Sequence, residues 1–398
     1  SGRAPYVWIS NQYSNTGIDF TRIRAQPGRN GVEDVIFNPD PDSQPTSLGN
    51  VFTSEVNVVD PDLEFPQVWR TNLALDHELP WWGMIATFEG AYSSIIQDVK
   101  YSNLNIALTG ETAPDGRVLF DDVDRNFGRV ILLENTNQGY RWNLTTQLEK
   151  PLQDGFMGKL SYTTSRARAP IDGTSSQASS NWRRLENTGD INNPPNSVSD
   201  FELRHRFFAS ISYQHEFFEG SPTLFSAFYN VRSGRPYSNT YISAFEDIND
   251  DQEIFTANDL IFVPANEGDV ALAEGTTWAE LDAYISEDPF LDAARGSIVP
   301  RNGSKGPWNQ RLDIRISQDI KVGRSKIQVS LDIENFMNLL DDGAGVNRQA
   351  NFNNHSAINV DGVTDDGRWI YSLERPQRFF IQSLSSRWKA QLGARWTF

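Results

Sequence analysis

The sequence contains no cysteine and only four histidines among its 398 residues. Thiol catalysis, disulfide bonds and cysteine-ligated metals are therefore excluded, and the histidines are scattered without metal-ligand spacing. No apolar run reaches about 18 residues, so the sequence predicts no membrane-spanning helix. The net charge of −17 argues against nucleic acid as a partner.

The chain opens with SGRAPYVWIS, which lacks the basic head and the apolar stretch of a signal peptide. We expect either that a leader was removed or that the chain begins within a longer protein. Hydrophobic residues make up 38% of the sequence, below the globular norm, yet it contains 11 Trp, 24 Phe and 12 Tyr. This combination is typical of a sheet with one apolar face and long polar loops.

Apolar and polar residues alternate in several long segments, which predicts β-strands. The clearest segment, SKIQVSLDIEN, places four apolar residues on one face: Ile327, Val329, Leu331 and Ile333. The residues between them are polar or charged: Lys326, Gln328, Ser330, Asp332 and Glu334. The preceding segment, QRLDIRISQDI, alternates in the same way and is joined to it by the tight turn KVGRS, so the two segments predict a hairpin.

Nine such strands are predicted, the last of them at the C-terminus. Each spans about 9 to 13 residues, which exceeds the average soluble strand and matches the length that a tilted strand needs to cross a membrane. One of them, Thr223 to Val231, alternates less well, because Leu224 and Phe228 fall on its polar face. Four connections are tight turns. The long polar connections between these hairpins are predicted at residues 94–138, 167–201, 232–308 and 335–384.

This alternation of short and long connections predicts an antiparallel meander through a bilayer. If the tight turns are periplasmic, residues 1–66 and the long connections are extracellular loops, and residues 67–398 hold the strands of a transmembrane β-barrel. A soluble antiparallel sandwich is the alternative, since its strands also alternate. Strand length, aromatic residues near the strand ends and the charged face favour the barrel, because a basic residue facing lipid at mid-depth costs about 2–4 kcal/mol.

Nine strands do not close a barrel by themselves. Unpaired backbone groups along two open edges in hydrocarbon would cost on the order of tens of kcal/mol, which exceeds the net stability of a protein. Bacterial single-chain barrels also have even strand numbers. We therefore expect this all-β chain to be the C-terminal part of a larger transmembrane antiparallel β-barrel, whose other strands lie upstream or in a separate piece.

Several stretches carry a family resemblance when they are taken in order. They are QVWRTNLALDHELPWWGMIATFEGAYS, GYRWNLTTQLEKPLQDGFMGKLSYTTSRA, RFFASISYQHEF, SGRPYS, NDLIFVP, DIENFMNLL and the closing SRWKAQLGARWTF. In their order and spacing they resemble the C-terminal half of TonB-dependent outer-membrane receptors, and most closely the Oar-like branch. The resemblance extends in patches from Phe65 to Phe398.

The resemblance implies a protein of the outer membrane of a Gram-negative bacterium, surrounded by lipid, with a barrel of about 22 strands around an N-terminal plug. The periplasmic protein TonB would act through the plug, so that a bulky substrate is taken up. The sequence shows neither a plug nor a TonB box, so import is implied by the family alone. An alternative is a barrel subunit of a secretion or surface-protein complex, whose loops dock a surface lipoprotein or other partner proteins.

The final segment, SSRWKAQLGARWTF, alternates up to its last residue. Its large apolar side chains share one face: Trp388, Leu392, Trp396 and Phe398. The resemblance implies that this strand, which ends in Phe, is the signal that the barrel-assembly machinery recognises. An ordinary closing strand without a signalling role is the alternative. In both cases we expect Lys389 and Arg395 to face the lumen.

An acidic stretch in the longest loop is the candidate metal site. Oxygen-bearing side chains alternate along it, and a further carboxylate follows: Asp247, Asn249, Asp251, Glu253 and Asp259. Ca²⁺ prefers about six to eight such oxygens from a flexible loop. An EF-hand, however, needs Gly at its sixth position and Glu at its twelfth, where this sequence has Gln252 and Asn258. Ca²⁺ is therefore the one candidate cofactor, and a solvated acidic loop is the alternative.

The remaining motifs predict neither catalysis nor nucleotide binding. The serine-rich GTSSQASSNW lacks the glycines of a nucleophile elbow, and the glycines of DDGAGVNR do not open a helix. We therefore expect a protein that is not an enzyme. One helix is predicted from Thr276 to Gly296, with Thr277 as its cap, and it either packs on the loops or gates a substrate.

Overall fold

The computed structural model describes residues 39–43, 56–125, 127–242, 247–252, 258–350 and 354–398. Within these ranges no helix is both long and apolar enough to cross a membrane. Strands dominate the secondary structure, and each helix is short. The chain is therefore an all-β protein, as its alternating sequence predicts.

The described residues form 23 strands. The first eleven are β1 (Val56–Val59), β2 (Gln67–Glu78), β3 (Ile85–Asn103), β4 (Ile106–Thr112), β5 (Val118–Asp122), β6 (Val130–Thr136), β7 (Tyr140–Gln153), β8 (Phe156–Ala169), β9 (Ser197–Val198), β10 (His205–Phe218) and β11 (Ser221–Arg232). The others are β12 (Pro236–Tyr241), β13 (Phe262–Val263), β14 (Ala271–Leu272), β15 (Ser297–Ile298), β16 (Ser304–Lys305), β17 (Asn309–Val322), β18 (Ser325–Glu334), β19 (Arg348–Gln349), β20 (Asn354–Val363), β21 (Trp369–Leu373), β22 (Phe380–Ile381) and β23 (Lys389–Thr397).

Seven short helical segments accompany the strands in the described ranges. The α-helices are α1 (Ala178–Arg183), α2 (Trp278–Ser286), α3 (Pro289–Ala293), α4 (Phe336–Leu340) and α5 (Ser383–Ser386). Two 3-10 turns are formed by Pro41–Ser43 and Glu267–Asp269. From β2 onward, all of these helical segments lie in the long connections between hairpins.

Nine long strands form one continuous sheet, here called the wall. They pair in sequence order: β2, β3, β7, β8, β10, β11, β17, β18 and β23. Every neighbouring pair is antiparallel. Their lengths run from 9 residues in β23 to 19 in β3, long enough for tilted strands that span a bilayer. The predicted set of nine long strands is confirmed.

Tight turns join the wall strands at one end of the sheet. β7 and β8 are connected by Asp154 and Gly155, whose φ angles of 54° and 77° suit a two-residue hairpin turn. A Cβ atom on Gly155 would also lie 2.4 Å from the carbonyl oxygen of Gln214 on β10. Glycine is therefore required at this position both for the turn and for the close approach of the neighbouring strand.

The long connections between wall strands lie at the other end, at residues 104–139, 170–204, 233–308 and 335–388. The first of these starts later than predicted, because β3 continues beyond the wall and pairs there with β6. The described part of residues 1–66, a predicted extracellular loop, contributes β1, which pairs in parallel with β6. These segments are folded rather than irregular.

Two long connections, residues 233–308 and 335–388, fold together above the wall. Their strands form a five-stranded sheet in the order β14, β21, β20, β12 and β16. An apolar core lies against it and includes Tyr241, Leu260, Leu281, Ile285 and Tyr371, all at most 2% exposed. A second core joins residues of the connections 104–139 and 170–204 around Trp182, Ile131 and Leu133. The loops therefore have the packing of a folded module.

The helix predicted from Thr276 to Gly296 is two helices, α2 and α3. Thr277 caps α2 as predicted, in a capping box with Glu280. The first helix ends at Ser286, because Asp288 begins a new N-terminus and Pro289 occupies its first turn. Leu281 and Ile285 of α2 pack in the loop core, which favours the packing interpretation over gating.

The wall has two open edges. Among the described residues, no strand pairs with the outer side of β2 or of β23. In hydrocarbon, each unpaired backbone group on such an edge would cost several kcal/mol.

Candidate functional site

One face of the wall is apolar and uncovered. On β18, the stripe of Ile327, Val329 and Leu331 lies beside Trp396, Ala394 and Leu392 of β23. Leu392 is 78% exposed, and neither apolar core of the described loops includes the stripe. The same face of the other strands exposes Leu73, Phe88, Leu144, Leu160, Ile211, Phe225 and Ile316. An apolar surface this extensive faces lipid rather than water.

Aromatic side chains gather where this apolar face ends. At the loop end of the wall, the rings of Trp69 and Tyr92 are 6.2 Å apart, and those of His205 and Trp308 are stacked at 5.9 Å. At the turn end, Tyr213, His215 and Phe217 continue along β10 with ring contacts between neighbours. Two such aromatic belts are typical of a strand sheet that crosses both interfaces of a bilayer.

The opposite face of the wall is charged and is here called the lumen face. Arg315 on β17 pairs with Asp332 on β18 at 3.0 Å, directly across the strands. Further ion pairs on this face are Lys159–Glu149, Arg311–Asp313, Arg311–Glu334 and Lys326–Asp319. Charged ladders of this kind need water beside them, so the lumen face borders an aqueous interior.

A buried ion-pair centre holds the loops together. Arg117 is fully buried, and its guanidinium binds Asp115 at 2.7 Å, Asp259 at 2.7 Å and the carbonyl oxygen of Leu260 at 2.7 Å. Arg117 and Asp259 are 142 residues apart in the sequence. Removing one partner from such a centre leaves an unpaired buried charge, which is strongly destabilising.

The predicted Ca²⁺ ligands are only partly brought together. The Oδ1 atom of Asp259 accepts a hydrogen bond from Arg117, so this oxygen is already engaged within the protein. Asn249 is buried, and its side-chain amide donates to the carbonyl oxygen of Gly189. Asp251 is buried as well, whereas Glu253 lies outside the described residues.

The electrostatics of this acidic segment depend on burial. Burial, and then the charge of Asp259, raise the pKa of Asp247 to about 7. Burial likewise raises the pKa of Asp259, which Arg117 opposes. Within the described ranges, no three carboxylate or histidine side chains form a group that could hold a metal ion. Ca²⁺ binding here stays a prediction.

His355 is buried within the folded loops and is 7% exposed. Its ring lies 6.3 Å from that of Tyr284. Burial, and then the charge of Arg378, lower the pKa of His355 to about 4, while the charge of Asp288 opposes this shift. The imidazole is therefore neutral near pH 7, and its charged form is disfavoured within the folded loops.

These features have a counterpart among known families. The model of the outer membrane beta barrel domain family matches residues 2–357. The chain belongs to this family. It is accordingly a transmembrane antiparallel β-barrel chain of the outer membrane, as the sequence predicts. No curated protein matches the chain.

Among solved structures, this outer-membrane barrel chain is similar to the outer membrane transporter YddB from Escherichia coli. The sequence identity is 12% and the TM-score 0.41, with 87% of this chain and 35% of YddB covered. The chain thus spans about a third of the length of that transporter.

The predicted assembly signal lies at one edge of the barrel wall. Leu392 and Trp396 belong to β23, and Trp388 and Phe398 flank it. All four side chains are exposed, Phe398 to 96%, and the rings of Trp396 and Phe398 are 5.7 Å apart. Leu392 and Trp396 lie on the lipid face, opposite Leu331 and Ile327 of β18. Recognition by the assembly machinery stays a prediction.

Sequence reasoning missed the residues that join the barrel wall to its loops. Asn335 follows β18 in the left-handed region, with φ 53°. Its side-chain amide donates to the carbonyl oxygens of Gly345 and Ser386, and its backbone N–H donates to Asp313. An Asn directly after a strand is a signal for this conformation, since Asn tolerates it better than most residues.

Proposed function

We propose that this chain forms part of the wall of a TonB-dependent outer-membrane receptor that takes up a bulky substrate. The observation that carries the proposal is the division of the wall into a lipid face and a charged lumen face beneath folded loops. A charged, water-lined interior gives a polar substrate a path across the hydrocarbon. The family resemblance of the ordered motifs supports the Oar-like branch.

The two open edges support a larger barrel. Strands β2 and β23 would leave their outer backbone groups unpaired in lipid, at several kcal/mol for each group. Strands outside this sequence would pair with both edges, and a barrel of about 22 strands encloses a lumen wide enough for a plug. TonB would act through that plug from the periplasm.

The experiment compares three bacterial strains: the parent, a strain without this gene, and a strain depleted of TonB. Mass spectrometry of the growth medium follows which compounds each strain removes, so the substrate need not be known beforehand. We expect a common set of compounds to remain in the medium of both altered strains. Re-expression of the intact protein should restore their removal in the strain without this gene, and not in the strain depleted of TonB.

Two results would contradict the proposal. The strain without the gene could remove every compound at the parental rate, or TonB depletion could leave uptake through this protein unchanged. The second result would favour a barrel subunit of a secretion or surface-protein complex. The folded loops, with their own apolar cores, favour that candidate, because they present a fixed surface for a partner protein. Purification from outer membranes without any co-eluting protein would count against it.

A further inference from the structure

Two arginines lie directly opposite each other on the lumen face. Arg206 is the second residue of β10 and Arg232 the last of β11, and the antiparallel ladder pairs them. Their neighbours Phe207 and Val231 belong to the lipid-facing side. Residues paired in this way have Cα atoms only about 4.5–5.5 Å apart, and like charges so placed repel each other.

A third arginine, Arg235, is held beside them by the backbone. The N–H of Ser233 donates to the carbonyl oxygen of His205 at 2.9 Å, and the N–H of Gly306 donates to the carbonyl oxygen of Arg235 at 2.9 Å. Between them, Gly234 packs so closely that a Cβ atom would lie 2.0 Å from the carbonyl oxygen of Gly306. The charges of Arg206 and Arg235 both act unfavourably on Arg232.

These three arginines are here called the arginine cluster, and their surroundings differ from those of several other basic residues on the lumen face. Arg311, Arg315 and Lys159 each have a carboxylate partner. In the part of the chain that the structure describes, no carboxylate forms an ion pair with a member of the arginine cluster. The sequence carries 52 acidic residues against 35 basic ones, so acidic residues are not scarce.

An apolar patch lies directly below the arginine cluster. Phe208 follows Arg206 by two residues on the same face of β10, and Phe228 precedes Arg232 by four on β11. Phe228 pairs with Ser210, which places it diagonally beside Phe208, within reach of an aromatic side chain. Phe228 is 38% exposed. Of the two apolar residues that interrupt the alternation of β11, Phe228 belongs to this patch, whereas Leu224 lies nearer the turn end of the strand.

We propose that the arginine cluster and the two phenylalanines form a binding site for an amphipathic anion. The ligand class is an aromatic or aliphatic body that carries a carboxylate, phosphate or sulfonate group. The guanidinium groups bind the anionic group through charge-assisted hydrogen bonds, and Phe208 and Phe228 cover the apolar body. Binding of the anion removes the repulsion within the cluster.

This proposal rests on the lumen orientation of the proposed function, yet binding requires no energised uptake. The site lies at the loop end of the wall, where a ligand arriving from outside first meets the lumen. It therefore specifies the substrate class of the proposed receptor. Measurement on the purified protein separates the two proposals, because TonB is absent from it.

The experiment is calorimetric titration of the intact protein, purified from outer membranes, with phenyl phosphate. Inorganic phosphate and benzyl alcohol are the matched probes for the anionic and the apolar half. We expect phenyl phosphate to bind more tightly than either. R206Q and R232Q should each weaken its binding about tenfold, the effect of losing one charge-assisted hydrogen bond at a part-exposed site. F228A should weaken the binding of phenyl phosphate but not the binding of inorganic phosphate.

R395Q is the control, since Arg395 also faces the lumen but lies on the edge strand β23, opposite Gln328. It should leave binding unchanged, and added salt should weaken binding to the parent protein. Absence of phenyl phosphate binding would overturn the proposal. A loss of affinity in R395Q as large as that in R206Q and R232Q would overturn it as well. An acidic segment of the protein itself could occupy the cluster; phenyl phosphate would then not bind, and R232Q would lower thermal stability. If binding holds but uptake proves independent of TonB, only the proposed function fails.

Discussion

The division of the wall into two faces predicts opposite responses from adjacent residues of β7. Leu144 lies on the lipid face and is 55% exposed. Thr145 lies on the lumen face, where its hydroxyl group bonds that of Thr163 at 3.0 Å and its partner on β3 is Glu89. Leu144→Arg and Thr145→Arg add the same side chain one residue apart, so the main difference between them is which face receives the charge.

The expected magnitudes follow from the two surroundings. An arginine facing lipid near mid-depth costs about 2–4 kcal/mol. In Thr145→Arg, loss of the Thr–Thr hydrogen bond costs about 1 kcal/mol, and a new pair with Glu89 on a wet surface returns about 0–1 kcal/mol. Leu144→Arg should therefore be less stable than Thr145→Arg by about 1–4 kcal/mol, or roughly 5- to 900-fold in the unfolding equilibrium.

Urea unfolding of the intact protein in lipid vesicles, followed by tryptophan fluorescence, measures this difference. The midpoint should shift strongly in Leu144→Arg and little in Thr145→Arg. Glu89→Gln combined with Thr145→Arg serves as a control, because it removes the compensating carboxylate and should add no more than about 1 kcal/mol. Equal midpoints for the two arginine variants, or the reverse order, would refute the assignment of the faces.

Gly234→Ala should destabilise the protein by roughly 1–3 kcal/mol, because the new Cβ atom overpacks against Gly306. Gly306→Ala is the control and should be tolerated, because its Cβ atom would lie 3.4 Å from the nearest atom. Thermal unfolding of the purified protein compares the two variants. Asn335→Ala should cost about 2–4 kcal/mol, since it removes two buried hydrogen bonds and puts at positive φ a residue that tolerates this conformation less well than Asn; Asn335→Gly should recover only the backbone part. As the pH falls from about 6.5 to about 4, the loops should lose up to about 3 kcal/mol of stability. The upper limit of this window is the pKa of an unfolded histidine, and the lower limit is the lowered pKa of His355. Because the folded state binds that proton later than the unfolded state, His355→Gln should flatten this pH dependence in hydrogen-exchange measurements, whereas His77→Gln, a change on the wall strand β2, should not.

The wall could be predicted from the sequence because each strand meets two different solvents. Lipid on one side and water on the other impose a period of two, and that period survives along strands of 9 or more residues. Even the departure of Phe228 from this pattern was visible in the sequence. The reason for this departure is not visible in the sequence, because Arg206 and Arg232, beside which Phe228 lies, come together only through the register of β10 and β11.

The loops could not be predicted to the same degree, because their structure depends on distant pairings. β12 pairs in parallel with β20, so that Ser238 meets Asn354 from another loop. Arg117 likewise meets Asp259 only after both connections have folded. The local alternation of apolar and polar residues carries no information about such long-range contacts. Spacing alone therefore makes the acidic stretch around Asp247 a candidate metal site, and nothing in that spacing indicates that Asp259 binds Arg117.

The bonds between wall and loops bear on how uptake could proceed. Arg301 donates to the carbonyl oxygens of Pro170 and Ala169 at 2.7 and 2.8 Å, and this joins the longest loop to the end of β8. Asn335 fixes the last loop to the end of β18 in the same way. Opening these loops would break buried hydrogen bonds, each costly to leave unmade. The proposed energised uptake therefore requires its moving element elsewhere in the protein, which is the role that a plug acted on by TonB would have.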